Sequence, residues 1–404
     1  MPSISILGAG FSGLTTGAVL NLLGYPTTIY ADRTADHSDL TAHHPPLASL
    51  YPAASVIPHL VQVDNLAEHM RLTHAFFGHL RDAGHFGVRQ QPHAEISEAP
   101  RTVPDYAPLM PDYAALPDDG SGHPDAPRRS AADALYGWRF DTFFAEVQRY
   151  RPSLYDLYRT TGGTVKKRRI TRGTLGDVPG DVLINCTGLG TLELFDDPAP
   201  TTVIRGCLVH VTPPTEIEQP RSYNYTPGPD VYATADGDPA DVYFYPRSDV
   251  WILGGTRRTG TWRDGAWHGP PLDGPTVDIG GQAVPEPVLT INRELIGNLT
   301  GADIADQPMR ATFGHRFARD LDGAGVRLDV SEEADRPVAH NYGHGGAGVT
   351  LSWSCAVMVA RRLLERDLLR DSDRQPVEFP SERASFFANL QQLAAREVLE
   401  HEAA

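Results

Sequence analysis

Cysteine is scarce: Cys186, Cys207 and Cys355 are the only three in 404 residues. They have no metal-ligand spacing and read as reduced, mostly buried thiols of a cytosolic protein. Long apolar runs are missing too. No stretch approaches the roughly eighteen residues that a membrane-spanning helix needs. No basic segment precedes the first apolar run, which argues against a cleaved signal peptide, and the final LEHEAA carries no peroxisomal tripeptide. Positive charge is in deficit, with 35 Lys and Arg against 51 Asp and Glu and a net charge of −16. Such a balance repels nucleic acid and anionic membrane, so neither is expected as a partner. The one short basic run, VKKRRITR at 165–172, reads as an exposed strand edge. Also absent are a His–Asp–Ser set and an evident carboxylate pair. A cytoplasmic protein acting on a small molecule fits these absences.

What is present is ordinary for a folded chain: 41% hydrophobic and 21% charged residues, enough for one large domain or two intertwined ones. SISIL at 3–7 reads as a short buried parallel strand. GAGFSG follows at 8–13, then a helix carrying Leu14, Ala18 and Leu22, closed by Gly24 and Pro26. TTIYADR at 27–33 is a second strand. In this strand–turn–helix–strand unit Gly8 permits the tight turn, Gly10 lets a phosphate approach, and Gly13 lets helix and strand pack closely. The helix start offers unpaired N–H groups to a pyrophosphate, and Asp32, nineteen residues past Gly13, can accept from ribose hydroxyls. The motif alone leaves FAD and NAD both open.

Further on, 64–85 and 286–300 read as helices, and 92–133, rich in Pro, Asp, Ala and Gly, as an irregular excursion. WRFDTFFAEVQRYRPSLYDLYRTTGG at 138–163 reads as helical, TVKKRRI as a strand, and DVLINCTGLG at 181–190 as another ending in small residues. Alternating β-branched and aromatic residues over 201–265 suggest an antiparallel sheet. After a β segment at GVRLDV comes HNYGHGGAGVT at 340–350, a second glycine-rich turn leading into a helix to about 369. The tail, 380–401, is amphipathic and expected to pack on the surface. His340 and His344 lack a third ligand, and no metal is expected.

YADR at 30–33, YGW at 136–138, NCTG at 185–188 and HNYGHGGAGVTLSWSCA from 340 occur in that order along the chain. Together they resemble the D-amino-acid oxidase family of FAD-dependent amine oxidases. The resemblance implies a mixed α/β fold in which a Rossmann-like FAD-binding domain (1–60, 140–200, 336–370) is interleaved with an antiparallel-sheet substrate domain (61–139, 201–335), followed by a helical tail (371–404). It implies FAD held by Gly8, Gly10, Phe11, Ser12, Gly13, Asp32 and Arg33, by Ala48, Ser49 and Leu50, by Val165, by Cys186, Thr187 and Gly188, and by Gly343, Gly345, Gly346, Ala347, Gly348, Val349 and Thr350. In this reading the last glycines let the backbone lie against the flavin ring, and Thr350 places a hydroxyl beside a ring carbonyl. The following helix points its positive end at the reduced ring.

At the substrate end GHRFAR (314–319) resembles the family stretch that supplies a carboxylate-binding arginine, Arg316, and Tyr243 falls on the tyrosine that helps it. The alternatives are a surface pair between Arg316 and Asp320 or Asp322, and a core tyrosine. Residues 212–241 match no family pattern. Tyr223, Tyr225 and Tyr232 are candidates there for the second tyrosine that the family carries. The implied reaction is hydride transfer from Cα of a small amino acid, of D configuration, to flavin N5. It gives a 2-oxo acid, ammonia and, with O2, hydrogen peroxide, catalysed by a homodimer. Two alternatives stay open: an oxidase or dehydrogenase of a secondary amine, a glycine-like compound or a pathway intermediate, and a catalytically silent FAD protein or NAD reductase.

Overall fold

A computed structural model of the chain describes residues 2–33, 47–50, 54–123, 126–217, 219–234, 236–333 and 335–400. Short aliphatic runs form a six-stranded sheet in the order Val330–Glu333, Arg336–His340, Val182–Asn185, Ile4–Leu7, Thr27–Ala31, Thr164–Lys167. All neighbours are parallel except the first pair. Ile4–Leu7 and Val182–Asn185 are buried at every position, as strands covered on both faces must be. The helix Phe11–Leu22 follows the first strand and packs on Ser352–Glu365 and Val147–Thr160. Small residues permit the approach: a Cβ at Gly17 would stand 2.4 Å from the Tyr158 ring. Trp353 stacks on Phe76 at 4.8 Å and donates to the Tyr150 hydroxyl at 2.9 Å, joining three helices in one core.

The second sheet is larger and its ladders are antiparallel save one, between Val88–Ser97 and Ser222–Thr226. Its long strand Thr201–Val211 pairs along its full length with Met309–Arg319. Its other edge meets Trp251–Gly254 and then Arg258–Arg263. Val242–Pro246, Ser222–Thr226, Val88–Ser97 and Tyr136–Ala145 continue the order outward. One face is covered by Glu286–Thr300, whose Val288, Ile291 and Leu295 bury against Val209, Phe244 and Leu253. The alternation that aims Phe244 into that core turns Tyr243 and Tyr245 to the opposite face.

The mixed α/β architecture is as the sequence implies; one local expectation is overturned and another is met only in part. Residues 136–145 form a strand, and the helix starts only at Val147. Trp138, Phe140 and Thr142 are buried while Arg139 is exposed, a period of two that outweighs the helical pattern of the longer run. The excursion is irregular over most of its length, but its first residues, 92–97, belong to the ten-residue strand Val88–Ser97, paired rung by rung with Tyr136–Ala145. The amphipathic tail helix Ala384–Leu399 packs as expected, by one face: Phe387, Leu390 and Ala394 join the main core, and Glu397 accepts from Arg71 at 2.6 Å. Residues 401–404 lie outside the described part.

Candidate active site

A cavity of about 620 Å³ opens where the C-terminal ends of the parallel strands meet the uncovered face of the second sheet. At one end lies the 8–13 turn. Gly8 has φ +101°, and a Cβ there would stand 2.5 Å from the Cys186 carbonyl oxygen; at Gly13 it would strike Gly8 O at 2.0 Å. At Gly10 a Cβ would meet only Ser49 Oγ, at 3.9 Å, so it would project into the cavity itself. Leu14 is the first residue of the helix to donate back, to Gly10 O at 3.0 Å. The N–H groups of Phe11, Ser12 and Gly13 therefore have no backbone acceptor among the described residues, the condition for anion binding at a helix start. Asp32, Arg33, Ala48, Ser49, Thr187 and Gly188 line the same region, and Cys186 joins them with its thiol pushed up to about 12 by burial. Arg33 Nη1 is buried without a partner among the described residues, an orphaned donor that a polar ligand would satisfy.

Midway, the 343–348 turn folds over the segment 57–60. Cβ atoms at Gly345 and Gly346 would lie 1.9 and 2.7 Å from the carbonyl oxygens of Leu60 and His59. These two glycines are thus demanded by neighbouring backbone; only Gly348 faces open space, its nearest neighbour being His344 Cβ at 3.9 Å. Gly343, Gly345, Gly346, Gly348 and Val349 line the cavity just before the Ser352–Glu365 helix.

On the sheet face at the far end, Arg316 and Tyr243 converge. Each lies flat over a glycine: a Cβ at Gly206 would be 2.3 Å from Arg316 Nη1, and one at Gly254 would be 2.0 Å from Tyr243 Cζ. Burial raises the Tyr243 phenol above its ordinary range and the Arg316 charge opposes this, so the two groups are close. The guanidinium and the phenol lie within hydrogen-bonding reach of each other, yet Tyr243 Oη and Arg316 Nη1 are both buried without a well-formed hydrogen bond among the described residues. The cavity's other nearby cation, Arg257, is already neutralised by Asp241 at 2.5 Å. Two orphaned donors aimed into one cavity are what a carboxylate would fill.

Residues 3–362 match the family described as DAO, FAD dependent oxidoreductase. The chain belongs to this family. It is 35% identical over 218 residues to a D-amino-acid oxidase of Streptomyces coelicolor, covering 54% of this chain and 57% of the relative. With a D-amino-acid oxidase of Rubrobacter xylanophilus it shares 32% over 222 residues, 54% of this chain and 57% of the other. These matches thus span little more than half the length of each relative. A solved structure of glycine oxidase from Geobacillus kaustophilus superposes with a TM-score of 0.57 at 15% identity, over 95% of this chain and 97% of that one, a likeness of fold. FAD is the family's cofactor, and the residues around the cavity fit it: a phosphate-sized opening at Gly10, free N–H groups at the helix start beside it, and an orphaned arginine donor at Arg33.

Several residues named from the sequence stand elsewhere. Val165 pairs with Ile29 inside the parallel sheet and packs on the main core, off the cavity. Leu50, Gly13 and Ala347 back the wall without lining it. Thr350 Oγ1 is spent on the Ile57 carbonyl at 2.9 Å, so its hydroxyl fastens the 57–60 segment. Tyr223, Tyr225 and Tyr232 donate to Asn292, Glu98 and Gly255 O at 2.8, 2.7 and 2.6 Å and none lines the cavity. Neither Asp320 nor Asp322 pairs with Arg316 among the described residues; Asp320 instead accepts from Ala324 N. His340 is held by Ser331 and Glu333, and His344 by Asn341, with burial pushing both down to about 4.

Other wall residues escaped the sequence reading. Arg168 and Arg169 border the Asp32 end, and their place at the end of a parallel strand was the available signal. His59, Asn224 and Tyr245 line the substrate face, with Tyr245 donating to Asn224 at 2.8 Å. His59, His93 and Glu95 are the only His, Cys, Asp or Glu trio among the described residues with ligand atoms within 4.8 Å of one another. Glu95 Oε1, at its centre, is taken up by N–H and O–H donors, which makes the trio a hydrogen-bonded network.

Proposed function

We propose that the chain oxidises the C–N bond of a small amino acid, of D configuration, with FAD bound across the cavity. FAD, when present, supplies the acceptor for the electrons leaving the substrate. Arg316 and Tyr243 bind and orient the substrate's carboxylate: the guanidinium fork meets two oxygens, and the phenol adds a third donor. The burial of both groups in one cavity, without a well-formed hydrogen bond among the described residues, is the observation that carries this reading. Leaving such donors unsatisfied costs about 1–3 kcal/mol each, and a carboxylate removes that cost. Two relatives that are D-amino-acid oxidases support the substrate class. The products would be a 2-oxo acid, ammonia and, with O2 as acceptor, hydrogen peroxide.

An oxidase of glycine or a secondary amine is the second reading. It is favoured by the sheet face itself, where His59, Asn224 and Tyr245 crowd the space beside Tyr243 with polar groups. A peroxide assay over D-amino acids, glycine and N-methyl amino acids separates the two. Turnover of D-amino acids is expected. Turnover of an amine without a carboxylate, with amino acids inert, would refute the placement at Arg316.

A further inference from the structure

An amino acid at neutral pH carries an ammonium group, and its C–N bond can be oxidised only after the nitrogen regains a lone pair. The cavity wall holds one arrangement suited to take that proton. Glu95 is buried at 2% side-chain exposure in the strand Val88–Ser97. Its Oε1 receives His59 Nε2 at 3.0 Å, His93 Nε2 at 3.2 Å, Asn224 Nδ2 at 2.9 Å and the Tyr106 hydroxyl at 3.4 Å. Arg101 stands behind at 3.9 Å from Oε2.

A carboxylate can only accept, so the Glu95 contact places the hydrogen on His59 Nε2 and, in the neutral ring, the lone pair on Nδ1; Asn224 Nδ2, 3.2 Å from Nε2, then donates to Glu95 Oε1 and not to the ring. His59 lines the cavity with 23% of its side chain exposed, and Nδ1 has no partner among the described residues. His93 cannot substitute, for its side chain is fully buried and its Nδ1 meets Ser222 at 2.9 Å. The His59 backbone abuts the 343–348 glycine turn, while its side chain reaches Asn224 of the substrate sheet, at 3.2 Å. It therefore bridges the two halves of the site.

We propose that His59, oriented by Glu95, is the base that takes the proton from the substrate's ammonium group. This rests on the amine-oxidation reading above. An N–H bond of the substrate breaks, its electron pair stays on nitrogen, and Nδ1–H forms; the imidazolium is stabilised through Nε2–H by the Glu95 carboxylate and later returns the proton to solvent. Burial pushes the Glu95 carboxyl up, but the His59 and His93 contacts overcome this and hold it well below the usual carboxylate range, so the anion is present to do so. Besides these residues, His59 faces the Tyr106 ring edge-on at 5.5 Å, and Arg257 and Tyr245 sense the Glu95 charge. Glu95 is a positioning residue; His59 is the catalytic one.

The test is anaerobic flavin reduction by D-alanine and by glycine, followed from about pH 6 to about pH 10. His59→Gln should lower the rate constant at about pH 7 by roughly 10²–10⁴-fold, the usual contribution of a general base. The deficit should then shrink about tenfold per pH unit towards the amine's own ionisation, because only the free amine still reacts. Glu95→Gln should show the same slope with a smaller deficit. A His59→Gln profile parallel to the wild type overturns the proposal. Reduction by neither amino acid in the wild type defeats the amine reading, and the base with it. Independently of activity, ¹⁵N NMR of the wild-type holoenzyme should show His59 as the Nε2–H tautomer when neutral; the Nδ1–H tautomer overturns the proposal.

Discussion

Arg316 reaches its place because Gly206 has no side chain. Gly206→Ala sets a methyl group 2.3 Å from the guanidinium's present position and forces it off its rotamer. That costs about 0.5–1.5 kcal/mol, so the apparent KM for an amino acid should rise about three- to tenfold with Tm little changed. Steady-state kinetics beside a melting curve read both. Thr350→Val separates two roles for that hydroxyl. Bonded to Ile57 O, it should contribute about 0.5–1.5 kcal/mol of stability and leave the flavin spectrum unaltered; a shifted spectrum without loss of stability would restore it to the ring. At this scale the sequence pointed to the cavity where a motif carries the residue, as at Gly8 and Arg316, both of which line it. It was not where a role depends on which carbonyl lies nearby, as for Thr350, or on strands far apart in the chain, as for His59, Glu95 and Asn224.

Among the elements, the segment 57–60 and the 343–348 turn fit each other through bare backbone. Gly345 combines φ +53° with a neighbour 1.9 Å from where a Cβ would stand. Gly345→Ala should therefore displace the segment that carries His59, costing on the order of 1–3 kcal/mol of stability and weakening flavin retention. Absorbance of the purified protein and Tm measure the two effects. The parallel βαβ unit and the helices at 66–82 and 286–300 could be read from periodicity alone. The strand at 136–145 could not. Its aromatic residues satisfy both periods, and only pairing with Val88–Ser97 along ten rungs decides between them.

Across the whole molecule, burial pushes down six of the described histidines, His69, His74, His93, His210, His340 and His344. Burial, the largest influence on each, pushes His69, His210, His340 and His344 down to about 4. In the unfolded chain they bind protons near pH 6.5, whereas the native state refuses them until about pH 4. Stability is therefore complete above about pH 6.5 and falls as pH drops towards 4, by up to about 1.4 kcal/mol per pH unit for each histidine. Asp197 and Glu397 act lower down. Burial raises each carboxyl, but arginine contacts prevail and hold both at about 2, so their contribution is present above the unfolded values and lost only as pH falls through about 2. Chemical denaturation at a series of pH values should show this two-stage loss; a flat stability between pH 7 and 4.5 would contradict it.

The proposed function rests on Arg316 and Tyr243 holding the substrate's carboxylate. Kinetics of Arg316→Leu on the best amino-acid substrate, with flavin occupancy read from absorbance in the same sample, test that most directly. Losing two charged hydrogen bonds of about 1.5–3 kcal/mol each should raise the apparent KM by roughly 10²–10⁴-fold with flavin fully bound. An unchanged KM in a fully yellow variant would contradict it.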